Sequence, residues 1–127
     1  MILKIAAKIV LRHEDKILLM RDHDGIWDFP GGGLEGDERL EEGLRRELRE
    51  ELGLEDFTLG PVIHADEWFI EPHDLHVVAV FYTGSVSERQ EHQLSHEHSD
   101  AQWLTPAEIR QQTCTPDTIN ALEALGL

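Results

Sequence analysis

"GGGLEGDERLEEGLRRELREELGL", residues 31–54, runs from three consecutive glycines into a helix crowded with charge, placing six carboxylates and four arginines beyond Asp37. Asp37 fits an N-cap, and Glu38, Glu41 and Glu42 suit the positive end of the helix dipole. Gly53 supplies the left-handed residue that ends a helix. Leu40, Leu44, Leu48 and Leu52 recur every fourth position and predict a buried stripe. At roughly 100° per residue, Glu42, Arg45 and Arg49 turn toward water, while Glu47, Glu50 and Glu51 gather at the border between core and solvent.

That border cluster sets two readings against each other. One is a solvated helix laced with i,i+4 ion pairs, here Glu41–Arg45 and Glu42–Arg46. It leaves Glu47, Glu50 and Glu51 unexplained, because each like-charge pair at these spacings costs about 0.2–0.5 kcal/mol even when exposed. The other reading places a hard divalent cation among them, since Mg²⁺ takes oxygen ligands. The lead-in "DFPGGGLEGDE" packs four glycines into six residues, more than a tight strand-to-helix turn requires. It points to backbone groups approaching a metal or phosphate. A P-loop is excluded, because the Lys-Ser/Thr pair is absent.

The rest of the chain bounds the answer. Its 127 residues suit one domain, 1–127, with an ordinary apolar fraction of 40%. Twenty-six acids against eleven Lys plus Arg give a formal charge of -15, a field that repels nucleic acid polymers and anionic membranes. A small polyanion still binds where cations neutralise the site locally. Cys114 is the only cysteine, so no internal disulfide forms and a reducing cytosol fits best. The N-terminal apolar alternation is broken by Lys4 and Lys8, which suits neither a signal peptide nor a membrane span. A cytoplasmic location is the expectation.

Strands are predicted over 2–12, 16–22, 57–70, 75–84 and 101–104, a polar loop over 85–100, and helices opening at Thr105-Pro106 and Thr115-Pro116. Strands with two or three helices on their faces predict a mixed α/β layer architecture.

Loop and helix together resemble the signature of the Nudix hydrolase family, G-x5-E-x7-R-E-U-x-E-E-x-G-U with U aliphatic. Here it runs Gly32, Glu38, then Arg46-Glu47-Leu48-Arg49-Glu50-Glu51-Leu52-Gly53-Leu54, with each fixed position and both spacings met. The "W-x-F-P-G-G" lead-in and the order of elements are also similar to that family. The resemblance implies an α/β/α sandwich around a mixed β-sheet, and Mg²⁺- or Mn²⁺-dependent hydrolysis of a nucleoside diphosphate linked to another group. It implies metal ligation by Glu47, Glu50, Glu51 and the backbone carbonyl of Gly31, with Arg46 orienting the glutamates and Glu38 bracing the loop–helix junction. Gly32 and Gly53 match structural positions. Many members add a late glutamate before a tryptophan-bearing strand, as ligand or general base. Glu97, ahead of Trp103, is similar in context, with Glu91 its rival. The implied catalytic residues are therefore Glu50, Glu97 and Arg46.

Other residues carry two readings each. Arg21 closes the second strand near the glycines and is expected either to contact phosphate or to be a surface charge. Trp27, Trp68 and Phe69 suit stacking on a base or packing in the core. His64, His73, His76, His96 and His98 are expected to be solvated or weakly phosphate-contacting rather than metal ligands. Substrate markers are thin. Pro72 lies off register for an ADP-ribose hydrolase, and Phe69 and Ile70 stand where dinucleoside polyphosphate hydrolases favour tyrosine. Aligning on Pro116 puts Thr118, rather than the nearby Asn120, where MutT-type members hold a guanine-reading asparagine. The first expectation is a (deoxy)nucleoside triphosphate pyrophosphohydrolase, monomeric or homodimeric. The alternatives are an ADP-ribose or nucleotide-sugar pyrophosphatase and a non-catalytic nucleotide sensor.

Overall fold

A computed structural model of the chain describes residues 1–88 and 98–127. In chain order the elements are β1 (Ile2–His13), β2 (Lys16–Asp22), β3 (Trp27–Asp28), β4 (Gly31–Gly33), α1 (Leu40–Leu52), β5 (Thr58–Ile70), β6 (Leu75–Ser85), β7 (His98–Leu104), α2 (Pro106–Ile109) and α3 (Pro116–Ala124).

β1 organises the sheet. It lies parallel to β6 from Ile2↔Leu75 to Arg12↔Ser85, and β6 carries β5 antiparallel at the edge. On its other side β1 meets β2 only at the hairpin, Arg12↔Ile17 and His13↔Lys16, and then pairs with β4. β2 diverges to take β3 on one side and β7 on the other. The result is a mixed sheet, as expected.

Alternation along β1 and β2 supplies both sheet faces. Ala7, Ile9, Leu11, Leu18 and Met20 face α1 and pack on Leu44, Leu48 and Leu52. Ala6, Val10, Ile17 and Leu19 face the opposite way, toward Ile109 of α2 and Ala121 and Leu122 of α3. Helices thus cover both faces, giving the α/β/α sandwich. Lys8 falls on the α3 side of this pattern, a buried ammonium in an otherwise apolar strand.

Several local expectations change. The helix opens at Arg39 rather than Asp37. The Glu38 carboxylate accepts the Glu35 N–H at 2.7 Å, which holds the preceding turn outside the helix. Glu42 accepts the Arg39 N–H at 3.3 Å, so it serves the helix start instead of pairing with Arg46. The glycines form a strand, β4, rather than a loop. Gly31 has φ +127°, and a Cβ there would collide with the Ala7 carbonyl, so this seam against β1 admits no side chain. The predicted loop 85–100 gives up His98, Ser99 and Asp100 to β7, which pair back onto β2. The helix expected to open at Thr105-Pro106 is α2, which spans only Pro106–Ile109. Gly53 closes α1 at φ 65°, with the Leu54 N–H reaching back to Leu48 O at 3.2 Å, as its sequence position predicted.

Candidate active site

Arg46 sits where α1 passes β4, and its guanidinium gathers the acids around it. Nε donates to Glu38 Oε2 at 2.8 Å and Nη2 to Glu38 Oε1 at 3.1 Å, a two-pronged pairing. Nη2 also donates to Gly33 O at 3.0 Å, pinning the end of β4 to the helix. Nη1 donates to Glu50 Oε2 at 3.0 Å and Glu47 Oε1 at 3.2 Å. The hydrogen bond from Arg46, first among several, holds the Glu38 carboxyl below its ordinary range, and the same bond raises Arg46. One cation thus links the loop brace Glu38 to two of the three border glutamates.

Glu51 is the third, and it is nearly buried at 5% exposure. Its Oε1 accepts the Gly31 N–H at 2.9 Å, and its Oε2 lies 3.6 Å from His98 Nε2. Burial pushes the Glu51 carboxyl up to about 8, and the neighbouring Glu47 adds to the rise against the lowering effects of the Gly31 N–H and Lys8. Glu47 lies beside β4, where a Cβ on Gly32 would come within 2.8 Å of its carboxylate. Glycine at position 32 is the residue that lets strand and carboxylate approach this closely.

The donor set suits a hard divalent ion. Glu47, Glu50 and Glu51 offer carboxylate oxygens, and a cation would stabilise the charged form of Glu51 against the burial and the Glu47 charge that raise it. Among the described residues no three His, Cys, Asp or Glu side chains already converge on one point. Arg46 draws Glu47 and Glu50 toward itself, and Glu97 lies outside the described residues. His98 is at the site with its side chain 12% exposed, which departs from the solvated half of an expectation whose other half was a weak phosphate contact. The signal available in sequence was its place just ahead of the tryptophan-bearing strand.

Arg21 ends β2 next to Asp22, which pairs with His98, so it stands at this same end of the sheet. Its Nε donates to Ser99 Oγ at 3.0 Å, and its guanidinium lies 5.6 Å above the Trp27 ring. Trp27 itself is 6% exposed and packs in the core with Phe29, the second of the two uses expected of it. Phe69 stacks on His76 at the far end of the sheet, with ring centroids 4.3 Å apart.

A cavity of about 430 Å³ opens on the α3 side, lined by Lys8, Asp28, Asp66, Glu67, Trp68, Thr115, Pro116, Asp117 and Asn120. Lys8 Nζ donates to Asp28 Oδ2 at 2.7 Å and to Phe29 O at 3.2 Å. Burial opposes its charge, but Asp28, Glu51 and Asp117 outweigh that and raise it. Lys8 is therefore within electrostatic reach of both the Glu51 site and the cavity. Asn120 Nδ2 donates to Asp66 Oδ2 at 2.9 Å, and this bond, with the Glu67 N–H and His64, holds Asp66 low. Asp117 is raised by burial. Thr118, expected at a base-reading position, is fully buried, its hydroxyl 2.8 Å from that of Thr115, while Asn120 reaches the cavity instead. Of these residues Lys8, Trp68, Thr118 and Asn120 stood out in the sequence, whereas Asp28, Asp66 and Asp117 did not.

The NUDIX domain family model matches residues 3–125. A CTP pyrophosphohydrolase of Escherichia coli is 34% identical over 127 residues, covering 96% of this chain and 90% of that protein. A nucleoside triphosphatase NudI of Escherichia fergusonii is 30% identical over 113 residues, covering 81% of this chain and 78% of its own length. Among solved structures, the MutT protein from Methanosarcina mazei Go1 superposes with a TM-score of 0.84 at 26% identity, covering 98% of this chain and 94% of that one. With the Arg46-centred glutamates in place on the helix that the motif predicts, this chain belongs to the Nudix family and is a Nudix hydrolase.

Proposed function

We propose that the chain, acting as one domain over residues 1–127, hydrolyses nucleoside triphosphates to a nucleoside monophosphate and pyrophosphate, with Mg²⁺ or Mn²⁺ as cofactor. The observation that carries this reading is geometric: Arg46 holds Glu47 and Glu50, the Gly31 N–H holds Glu51, and Lys8, which pairs with Gly31, lines a cavity with room for a nucleobase. The names of the curated relatives, a CTP pyrophosphohydrolase and a nucleoside triphosphatase, support the same substrate class.

Glu47, Glu50, Glu51 and the Gly31 carbonyl would hold the divalent ion. When bound, the ion supplies charge neutralisation between these carboxylates and the polyphosphate and lowers the pKa of a coordinated water. Arg46 keeps Glu47 and Glu50 aimed from α1 toward β4, and Glu38 keeps Arg46 there. Glu97 is the proposed further ligand or general base. Arg21 offers a guanidinium to the phosphates from the end of β2. Trp68 offers a ring to the base, a contact that tolerates any base because each has a π-face.

The test is release of pyrophosphate from a panel of nucleoside triphosphates with and without Mg²⁺. Metal-dependent release is the expected result. Full turnover by Glu50→Gln and Glu51→Gln proteins would show that the assigned roles are wrong.

A further inference from the structure

Lys8 is out of character with its strand. Its neighbours on the same face of β1, Ala6 and Val10, belong to the apolar core, and at 9% exposure Lys8 is buried with them. Burying an ammonium is costly even when it is paired, so packing alone does not call for lysine here. What the ammonium holds is the chain between β3 and β4. Nζ donates to Asp28 Oδ2 at 2.7 Å and to Phe29 O at 3.2 Å. One peptide further on, Pro30 O accepts the Ile9 N–H at 3.0 Å, and the Gly31 N–H donates to Glu51 Oε1 at 2.9 Å. The peptide units Phe29–Pro30 and Pro30–Gly31 are rigid plates that meet at Pro30, where the ring locks φ. A single rotation is left between them, and the bond from Ile9 restrains it. The direction of the Phe29 carbonyl therefore carries over into the direction of the Gly31 N–H.

We propose that Lys8 is a positioning residue for the divalent ion: from the α3 side of the sheet it sets the Pro30–Gly31 peptide, and through that peptide the Glu51 carboxylate on α1. The inference rests on the reading of Glu51 as a carboxylate that holds the ion, and adds the residue that fixes it. Geometry and charge pull in opposite directions here. Lys8 and Glu51 attract one another, so a positive charge behind the carboxylate opposes a cation in front of it. On charge alone, removing the ammonium tightens metal binding. On geometry, removing it releases Asp28 and Phe29, frees the Gly31 N–H to turn, and leaves Glu51 without its fixed donor. Groups that orient a metal ligand from behind are commonly worth roughly 10- to 100-fold in affinity. The sign of the change in metal affinity therefore reports which of the two governs, and positioning requires a loss.

The experiment measures Mn²⁺ binding to nucleotide-free protein from the electron spin resonance signal of the unbound ion. Lys8→Met, similar in length and uncharged, is expected to bind Mn²⁺ at least about tenfold more weakly than the unsubstituted protein. A merely structural lysine would lower the melting temperature of this variant and leave the Mn²⁺ affinity of the folded protein where it was. If Lys8→Met does not fold, Lys8→Met combined with Asp28→Leu also removes the carboxylate left unpaired, and the same loss of about tenfold is expected. Unchanged or tighter Mn²⁺ binding by a folded Lys8 variant overturns the proposal. An unsubstituted protein that binds no Mn²⁺ overturns it together with the metal reading. One that binds Mn²⁺ but hydrolyses no nucleotide loses only the proposed reaction, and the comparison of affinities still decides the part played by Lys8.

Discussion

Around Arg46, every group comes from one short run of chain: Gly33, Glu38, Glu47 and Glu50 all lie within residues 33–50. The cavity on the α3 side draws Lys8 from β1, Asp28 from β3, Asp66 and Trp68 from β5 and Asp117 and Asn120 from α3. The first is local, brought together by the end of β4, the turn that follows it and the middle of α1. The second exists only once the sheet and its far helix have met. A reaction centre assembled from neighbours is bound to its spacing, whereas a recognition wall assembled from distant elements is free to change residue by residue.

If that division holds, substitutions in the local cluster strike turnover and those in the distributed wall strike affinity. The largest effect is expected for Glu50→Gln and Glu51→Gln, a fall in kcat of about three orders of magnitude in Mg²⁺-supported assays, with the fold retained by circular dichroism.

Next comes stability against pH in metal-free protein. Folded Glu51 keeps its proton up to about 8, whereas the unfolded chain releases it near the ordinary 4.5. The native state binds more protons between those values, so the contribution of Glu51 to stability is full below 4.5, declines as pH rises and is lost above 8. The loss is on the order of 5 kcal/mol. Chemical denaturation at several pH values, compared with Glu51→Gln, is expected to show the slope in the parent protein and a flatter one in the variant. Adding Mg²⁺ should restore stability at high pH.

Arg46→Ala ranks third. It removes the bonds to Glu38 and Gly33 and leaves Glu47 and Glu50 unsupported, and is expected to cost about 2 kcal/mol of stability as well as activity. Retained stability with lost activity would mean that Arg46 only orients carboxylates. The smallest effect falls on the wall: Trp68→Ala should raise KM about tenfold with kcat little changed. A loss in kcat instead would erase the boundary between the two regions.

How far the sequence could be read follows from the same division. Leu44, Leu48 and Leu52 were legible as a core stripe because a helix repeats within one turn, and Gly53 as its end because few other residues accept φ 65°. β2 kept its predicted bounds because its hairpin and apolar run are local. The glycines were misjudged as a loop because nothing in their own neighbourhood shows that Ala6, Ala7 and Lys8 run alongside. His98 looked solvated because its contact with Glu51 spans 47 positions. Trp27 offered an aromatic ring at a plausible place, but its pairing with Arg21 and its isolated bridge to Cys114 bury it. Asp28, Asp66 and Asp117 carry no pattern at all, since a single acid does not stand out in a chain that has twenty-six.

The parallel seam between β1 and β6 has a consequence for how the enzyme comes into being. Its partners, Ile2↔Leu75 through Arg12↔Ser85, stand 73 positions apart, with the whole glutamate helix lying between them. Closing so wide a loop is slow compared with winding the helix. During synthesis the reactive carboxylates therefore emerge early and wait, and a truncated product stopping at residue 74 would contain the full signature yet lack the strand that gives β1 its long neighbour.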